Sequence, residues 1–208
     1  METYRFCEGG WDRSAFLPAW STACKVRKEF LQEVDCIKNF SEEGEFCYTS
    51  MVTEKRYPIG TKFRTECAFE SFGAPLIVLT DDLRKKDGQW SYGLHFEVVT
   101  YEGGCNVWRI VPADTSRGIA TLALAKIPFS LPAGKKIRLE AETGEGILKI
   151  RVNDQPFQVP CEELPRQVHA GITACEGINR FYSFSIEEIR KRPAPKKRSR
   201  AFLLCDYL

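Results

Sequence analysis

Residues 92–101 read Tyr92-Gly-Leu-His-Phe-Glu-Val-Val-Thr-Tyr101, and after Glu102-Gly103 the chain continues Gly104-Cys-Asn-Val-Trp-Arg109. Leu94, Phe96 and Val98 alternate with Gly93, His95 and Glu97. That period of two suits a strand with one buried face and does not suit a helix. Two apolar runs flanking a Gly-rich turn predict a β-hairpin. The loop length sets its register. A two-residue loop puts Trp108 and Ile110 on the face of His95 and Glu97. A three-residue loop puts them with Leu94, Phe96 and Val98 and sets Glu97 opposite Arg109. The second choice gives one apolar and one polar face, so it is the register the sequence predicts.

The same rhythm extends in both directions. Phe63, Thr65, Cys67 and Phe69 alternate with Lys62, Arg64, Glu66 and Glu70, and Ile137, Leu139 and Ala141 with Lys136, Arg138 and Glu140. Shorter runs at Leu76–Thr80, Asn106–Val111, Ala120–Phe129, Gly146–Val152, Val168–Ala174 and Phe181–Ile186 read as further strands. Asp87-Gly88, Glu102-Gly103-Gly104, Ala133-Gly134, Thr143-Gly144-Glu145-Gly146 and Asn153-Asp154 punctuate them as turns. Ten or more strands with almost no amphipathic helix predict an all-β sandwich. Cys24–Val34 is the best helical candidate, but it fits a strand nearly as well.

Composition narrows the class. The 208 residues are 43% hydrophobic and 28% charged, which argues against a disordered chain and a coiled coil. No run reaches the roughly 18 apolar residues that span a bilayer. Glu2 follows Met1 directly and no apolar core of a leader follows, so an intracellular, cytoplasmic protein is expected, with no membrane partner. The net charge is +2, unevenly placed. From Arg190 on, seven basic residues and one acidic residue carry +6, which leaves −4 on residues 1–189. Residues 1–189 therefore read as the folded domain. Residues 190–208 read as a flexible basic tail with an apolar end. An acidic body is the wrong balance for a specific nucleic-acid partner. The nine cysteines form no Cys-x-x-Cys and match no zinc spacing. They read as reduced, structural thiols, with no metal or cofactor implied.

The order of segments is similar to that of the concanavalin A-like lectin/glucanase domains. The resemblance rests on Tyr92–Arg109, on Ile147-Leu-Lys-Ile-Arg-Val-Asn-Asp-Gln-Pro-Phe157, and on the closing runs His169–Gly177 and Asn179–Ile186. It covers roughly residues 60–188. It implies a jelly-roll sandwich of two curved antiparallel sheets whose concave face holds a glycan in many members. The Glu-x-Asp-x-x-Glu strand of the fold's retaining glucanases is missing, and Glu97 stands alone on its strand. Leu94-His95-Phe96 lacks the Gln of the alginate-lyase pattern. Asp81, Asp82, Asp87 and Asn106 do not make the spaced cluster of a lectin calcium site.

Candidate chemistry gathers on the central hairpin. His95 and Glu97 share a face, and an imidazole beside a carboxylate is an acid/base pair near neutrality. They are the candidate catalytic residues. His169, if it met them, would complete a His/His/Glu set. The plainer alternative is a hydrogen-bonded sheet face with Glu97 paired to Arg109. Trp90, Tyr92 and Trp108 offer rings for the C–H faces of a sugar, or else fill the core and its edges. Asn106, Arg109, His169, Glu176, Asn179 and Arg180 offer planar polar partners for hydroxyls. Glu176-Gly177-Ile178-Asn179-Arg180 reads as a turn between two strands, serving as a rim loop or as a bare connection. Trp11 and Trp20 are expected to cap one end of the core. Three functions follow as alternatives. The first is a non-catalytic, carbohydrate-recognising jelly roll. The second is a glycan-active hydrolase or lyase using His95 and Glu97. The third is a structural or protein-interaction sandwich. No oligomeric state is implied.

Overall fold

The computed structural model describes residues 1–18, 29–39, 48–81, 83–86, 89–92, 94–113 and 119–189, with the backbone alone at 83–86, 89–92, 112 and 119. Among them there is no α-helix, and the only helical turn is a short 3-10 segment at Arg13–Ala15. The expected basic tail, Trp20 and residues 24–28 of the Cys24–Val34 segment lie outside the described residues, and the described part of that segment holds a short strand at Leu31–Gln32 and no helix.

Sixteen strands among the described residues build the fold. The first six are β1 (Glu2–Arg5), β2 (Phe16–Pro18), β3 (Leu31–Gln32), β4 (Ile37–Lys38), β5 (Tyr48–Thr53) and β6 (Tyr57–Pro58). Then come β7 (Thr61–Thr80), the pair β8 (Leu83–Lys86) and β9 (Gln89–Tyr92), and β10 (His95–Tyr101). The last six are β11 (Gly104–Pro112), β12 (Ile119–Pro128), β13 (Ile137–Gly144), β14 (Ile147–Val152), β15 (Gln155–Pro160) and β16 (Gln167–Glu188).

Two strands organise the rest. β7 and β16 are 20 and 22 residues long and pair antiparallel along nearly their whole length. Such strands exceed the usual 3–10 residues because each passes through both layers of the sandwich. The C-terminal half of β7 and the N-terminal half of β16 sit in the front sheet, ordered β2-β5-β16-β7-β10-β11-β12. Their other halves join the back sheet, where β7 leads to β13, β14 and β15, while β16 takes β1 and β4. All of these pairings are antiparallel, and the expected jelly roll is the fold observed.

The bend between the layers falls where the sequence suggested a loop. Glu176-Gly177 is not a hairpin turn but an irregularity inside one continuous strand. Glu176 and Gly177 have φ of +54° and +56°. A left-handed pair shifts register and turns the strand without ending it. A Cβ on Gly177 would meet the Phe72 carbonyl oxygen, and one on Gly73 would lie 2.6 Å from Asn179 Oδ1, so glycine lets the two bent strands cross closely. Asn39 and Asn179, both fully buried, lock the crossing. Asn39 Nδ2 donates to the Gly177 carbonyl at 2.8 Å, and Asn179 N donates to Asn39 Oδ1 at 2.7 Å.

The core lies between the layers. Phe63, Cys67, Phe96, Val98, Leu139, Ala141 and Phe184 are all fully buried in it, as the alternation of their strands requires. Each large apolar side chain contributes about 1.5–3 kcal/mol by leaving water. The partners of alternation on the back sheet face outward as an ion-pair ladder, Arg64 to Glu140 and Glu187, and Lys62 and Lys149 to Glu142. None of the six described cysteines forms a disulfide. Burial pushes the Cys67 and Cys105 thiols up to about 12, so they pack as apolar groups and not as nucleophiles.

Candidate functional site

The outer, concave face of the front sheet carries the residues of interest. Its rows are fixed by strand register. Tyr48, Ser50 and Val52 come from β5, and His169, Gly171, Thr173 and Cys175 from β16. Ala74, Leu76, Val78 and Thr80 come from β7, and His95, Glu97 and Val99 from β10. β11 adds Asn106, Trp108 and Ile110.

The hairpin register differs from the expected one. Tyr101 pairs Gly104 across a two-residue loop, so Glu97 faces Trp108 and His95 faces Ile110. Arg109 pairs Phe96, points to the opposite face, and donates to Glu163 at 2.8 Å. The reason is that this strand has no solvent-exposed face. Every residue from His95 to Thr100 is buried, because a second apolar cluster of Tyr48, Val52, Leu76, Val78, Val99 and Ile110 occupies the concave side. A strand buried on both faces has no alternation to fix its register.

His95 and Glu97 meet, with Nε2 3.2 Å from Oε1, and they are 1% and 2% exposed. His169 shares the face. It and His95 both pair Thr80, from opposite sides, so the two histidines stand two strands apart, about 9–10 Å between backbones. The Thr53 carbonyl accepts from His169 Nδ1 at 2.9 Å, which fixes that proton. Ser50 and Thr173 share a hydrogen bond of 2.6 Å. Tyr48, which sequence reading missed, stands at the end of the same floor. Burial first, then the Glu97 charge, push its phenol well above the ordinary value, so it stays protonated. Its signal in the sequence was slight, since Tyr48–Thr53 shows no alternation at all. Among the described residues no group of three or more His, Cys, Asp or Glu is placed to hold a metal ion.

The remaining candidates scatter. Asn179 is spent on the bend, where its Nδ2 donates to the Glu176 carbonyl at 2.8 Å. Arg180 pairs Glu33 and Glu70, at 3.0 and 2.5 Å, beside that bend. Glu176 is exposed there and away from His95. The side chains of Trp90 and Tyr92 lie outside the described ones. Trp11 does cap one end of the core, with its ring edge-on to Phe6 and Phe16.

What stays partly exposed on this face is its β11–β12 side. Asn106 and Trp108 are half-buried neighbours two apart on β11. Asn106 pairs Lys126 on β12, whose ammonium lies 5.7 Å from the Trp108 ring centroid. Asn106 Oδ1 is buried, with no hydrogen-bond partner among the described residues. The arrangement offers an aromatic ring and an exposed cation side by side, next to the Asn106 amide.

No protein-family model matches this sequence, and neither does any curated protein. Solved structures do match in fold. A protein of unknown function with a galectin-like fold from Bacillus subtilis aligns with a TM-score of 0.61 at 10% identity, over 90% of this chain and 95% of that one. A glycoside hydrolase family 16 endo-glucanase from Bacteroides ovatus gives 0.60 at 9% identity, over 89% and 99%. A carbohydrate-binding module from Bacillus subtilis gives 0.59 at 12% identity, over 82% and 96%. The chain is thus similar in fold to galectin-like, glucanase and binding-module jelly rolls, and its fold is the concanavalin A-like one.

Proposed function

We propose that the protein is a non-catalytic carbohydrate-binding jelly roll whose ligand lies along the Asn106–Trp108 side of the concave face. The single observation that carries this is the row itself. A half-buried ring beside the exposed Lys126 ammonium suits a sugar, which offers C–H faces to the ring and hydroxyl oxygens to the cation. The fold's likeness to a carbohydrate-binding module and a glucanase agrees with this reading. The non-catalytic reading draws support from His95 and Glu97, which are bonded to each other and out of reach of a polymer.

A panel of glucose-, fructose-, mannose- and galactose-based oligosaccharides, titrated calorimetrically, tests it. One class should bind, and Trp108→Ala should weaken it at least about tenfold while Trp108→Phe keeps most of the affinity. Failure of every glycan, or binding indifferent to Trp108→Ala, overturns it. The buried apolar floor favours a second reading, a sandwich that binds protein and no small ligand on this face. That reading gains if the whole panel fails.

A further inference from the structure

A separate cavity of about 310 Å³ opens at the end of the sandwich, beside the edge strand β2. Phe16, Phe30 and Met51 form its floor, and Trp11 a wall. These walls are packed in place. Trp11 stands edge-on to Phe16 at 5.8 Å, and its Nε1 donates to Gln32 at 3.1 Å. Phe30 stands edge-on to Phe181 at 5.7 Å. Among the described residues its lining is mainly apolar with a few polar groups at the rim, the usual make-up of a small-ligand site. A dry cavity of about 150 Å³ accepts a benzene, so this one has room for a ring and a polar head.

Two charges line the same hollow. The Arg13 guanidinium sits 5.3 Å from the Trp11 ring centroid, and Glu29 lies on the cavity lining as well. Neither forms an ion pair with any described residue, nor with the other. We propose that this cavity binds a small zwitterion with an aromatic body, of the class of a free aromatic amino acid. The ring lies on Phe16, Phe30 and Met51, the carboxylate meets Arg13, and the ammonium meets Glu29. An anion alone is repelled by Glu29, and a cation alone by Arg13. The site is independent of the concave face.

Titrations of the full chain with phenylalanine, 3-phenylpropionate and phenethylamine, followed by amide chemical shifts, test the proposal. Phenylalanine should saturate the residues around Trp11 and Phe30 and bind tightest of the three. Arg13→Gln should weaken phenylalanine about fivefold or more and leave phenethylamine unweakened, and Glu29→Gln should spare 3-phenylpropionate in the same way. Leu17→Trp, which crowds the cavity from β2, should abolish binding with the fold retained. No saturable binding of phenylalanine overturns the site, and 3-phenylpropionate binding as tightly as phenylalanine overturns the zwitterion. Neither result bears on the glycan titration, which reads Trp108.

Discussion

Trp108 stands directly across from Glu97 on the neighbouring strand, and Arg109 is turned to the other side of the sheet. The carboxylate therefore lacks the guanidinium that the three-residue loop would have brought to it. His95 Nε2, at 3.2 Å, is the partner it has on its own strand. Removing one member of a buried pair leaves the other charge or dipole stranded and costs about 3–5 kcal/mol, whereas replacing both by apolar groups costs far less. His95→Leu should lower the unfolding free energy by about that amount, and His95→Leu/Glu97→Leu should regain most of it. Urea unfolding followed by circular dichroism measures both. A double variant no more stable than the single one would show that the pair is not the source of the loss.

The Asn39–Asn179 lock makes a second prediction. Asn39→Ala removes an acceptor from Asn179 N and a donor from the Gly177 carbonyl, both in a site closed to water. Unsatisfied buried groups cost more than the bonds they lose, so about 2–4 kcal/mol is expected. The same urea measurement decides. A loss below about 0.5 kcal/mol, the scale of an ordinary surface substitution, would mean that the bend does not depend on this asparagine.

The layered fold was legible because its inner strands obey the period of two. Phe63, Cys67, Phe96, Val98, Leu139 and Ala141 were all identifiable as core from alternation alone. The bend and the hairpin register were not. Glu176-Gly177 has the composition of a turn, and composition does not separate a turn that ends a strand from one that kinks it. The register failed because the concave side carries its own apolar cluster, which removes the polar face the prediction needed. His95 and Glu97 were found together by spacing, since residues two apart share a face whatever the register. The partners of Asn179 and Arg180 were not legible, because Asn39, Glu33 and Glu70 come from distant parts of the chain.

Acid should unfold the protein in part through Glu33. The Lys38 ammonium, the Cys36 thiol and the Arg180 guanidinium bond its carboxylate and hold it down to about 2, against an ordinary 4.5. A depressed carboxylate stabilises the fold above the ordinary value, and that contribution disappears as pH falls from 4.5 through about 2. Glu33→Gln lacks the titration. The stability gap between wild type and Glu33→Gln should be widest above about pH 5 and should shrink toward about pH 2. Because the group is partly exposed, the gap should also narrow in high salt. A gap that stays constant across that pH range would remove Glu33 from the account.

Gly171 lies in the middle of the front sheet, pairing Val52 on one side and Val78 on the other. A Cβ there would run into the Met51 carbonyl oxygen and lie 2.6 Å from Val52 Cα, both backbone atoms of β5. Backbone in a paired strand has no rotamer to change, so an added methyl must push β5, and β2 with it, off the sheet. Gly134 separates this steric cause from glycine's conformational freedom, because it has φ +68° and nothing within 4 Å of the point where a methyl would stand. Gly134→Ala should cost about 1 kcal/mol, the strain of the left-handed region alone. Gly171→Ala, with no such φ to strain, should cost about 2–4 kcal/mol by overpacking. Amide exchange at Ser50 and Val52 should rise in Gly171→Ala and stay unchanged in Gly134→Ala. Equal losses in the two variants would mean that the approach of β5 to β16 is loose enough to admit a side chain.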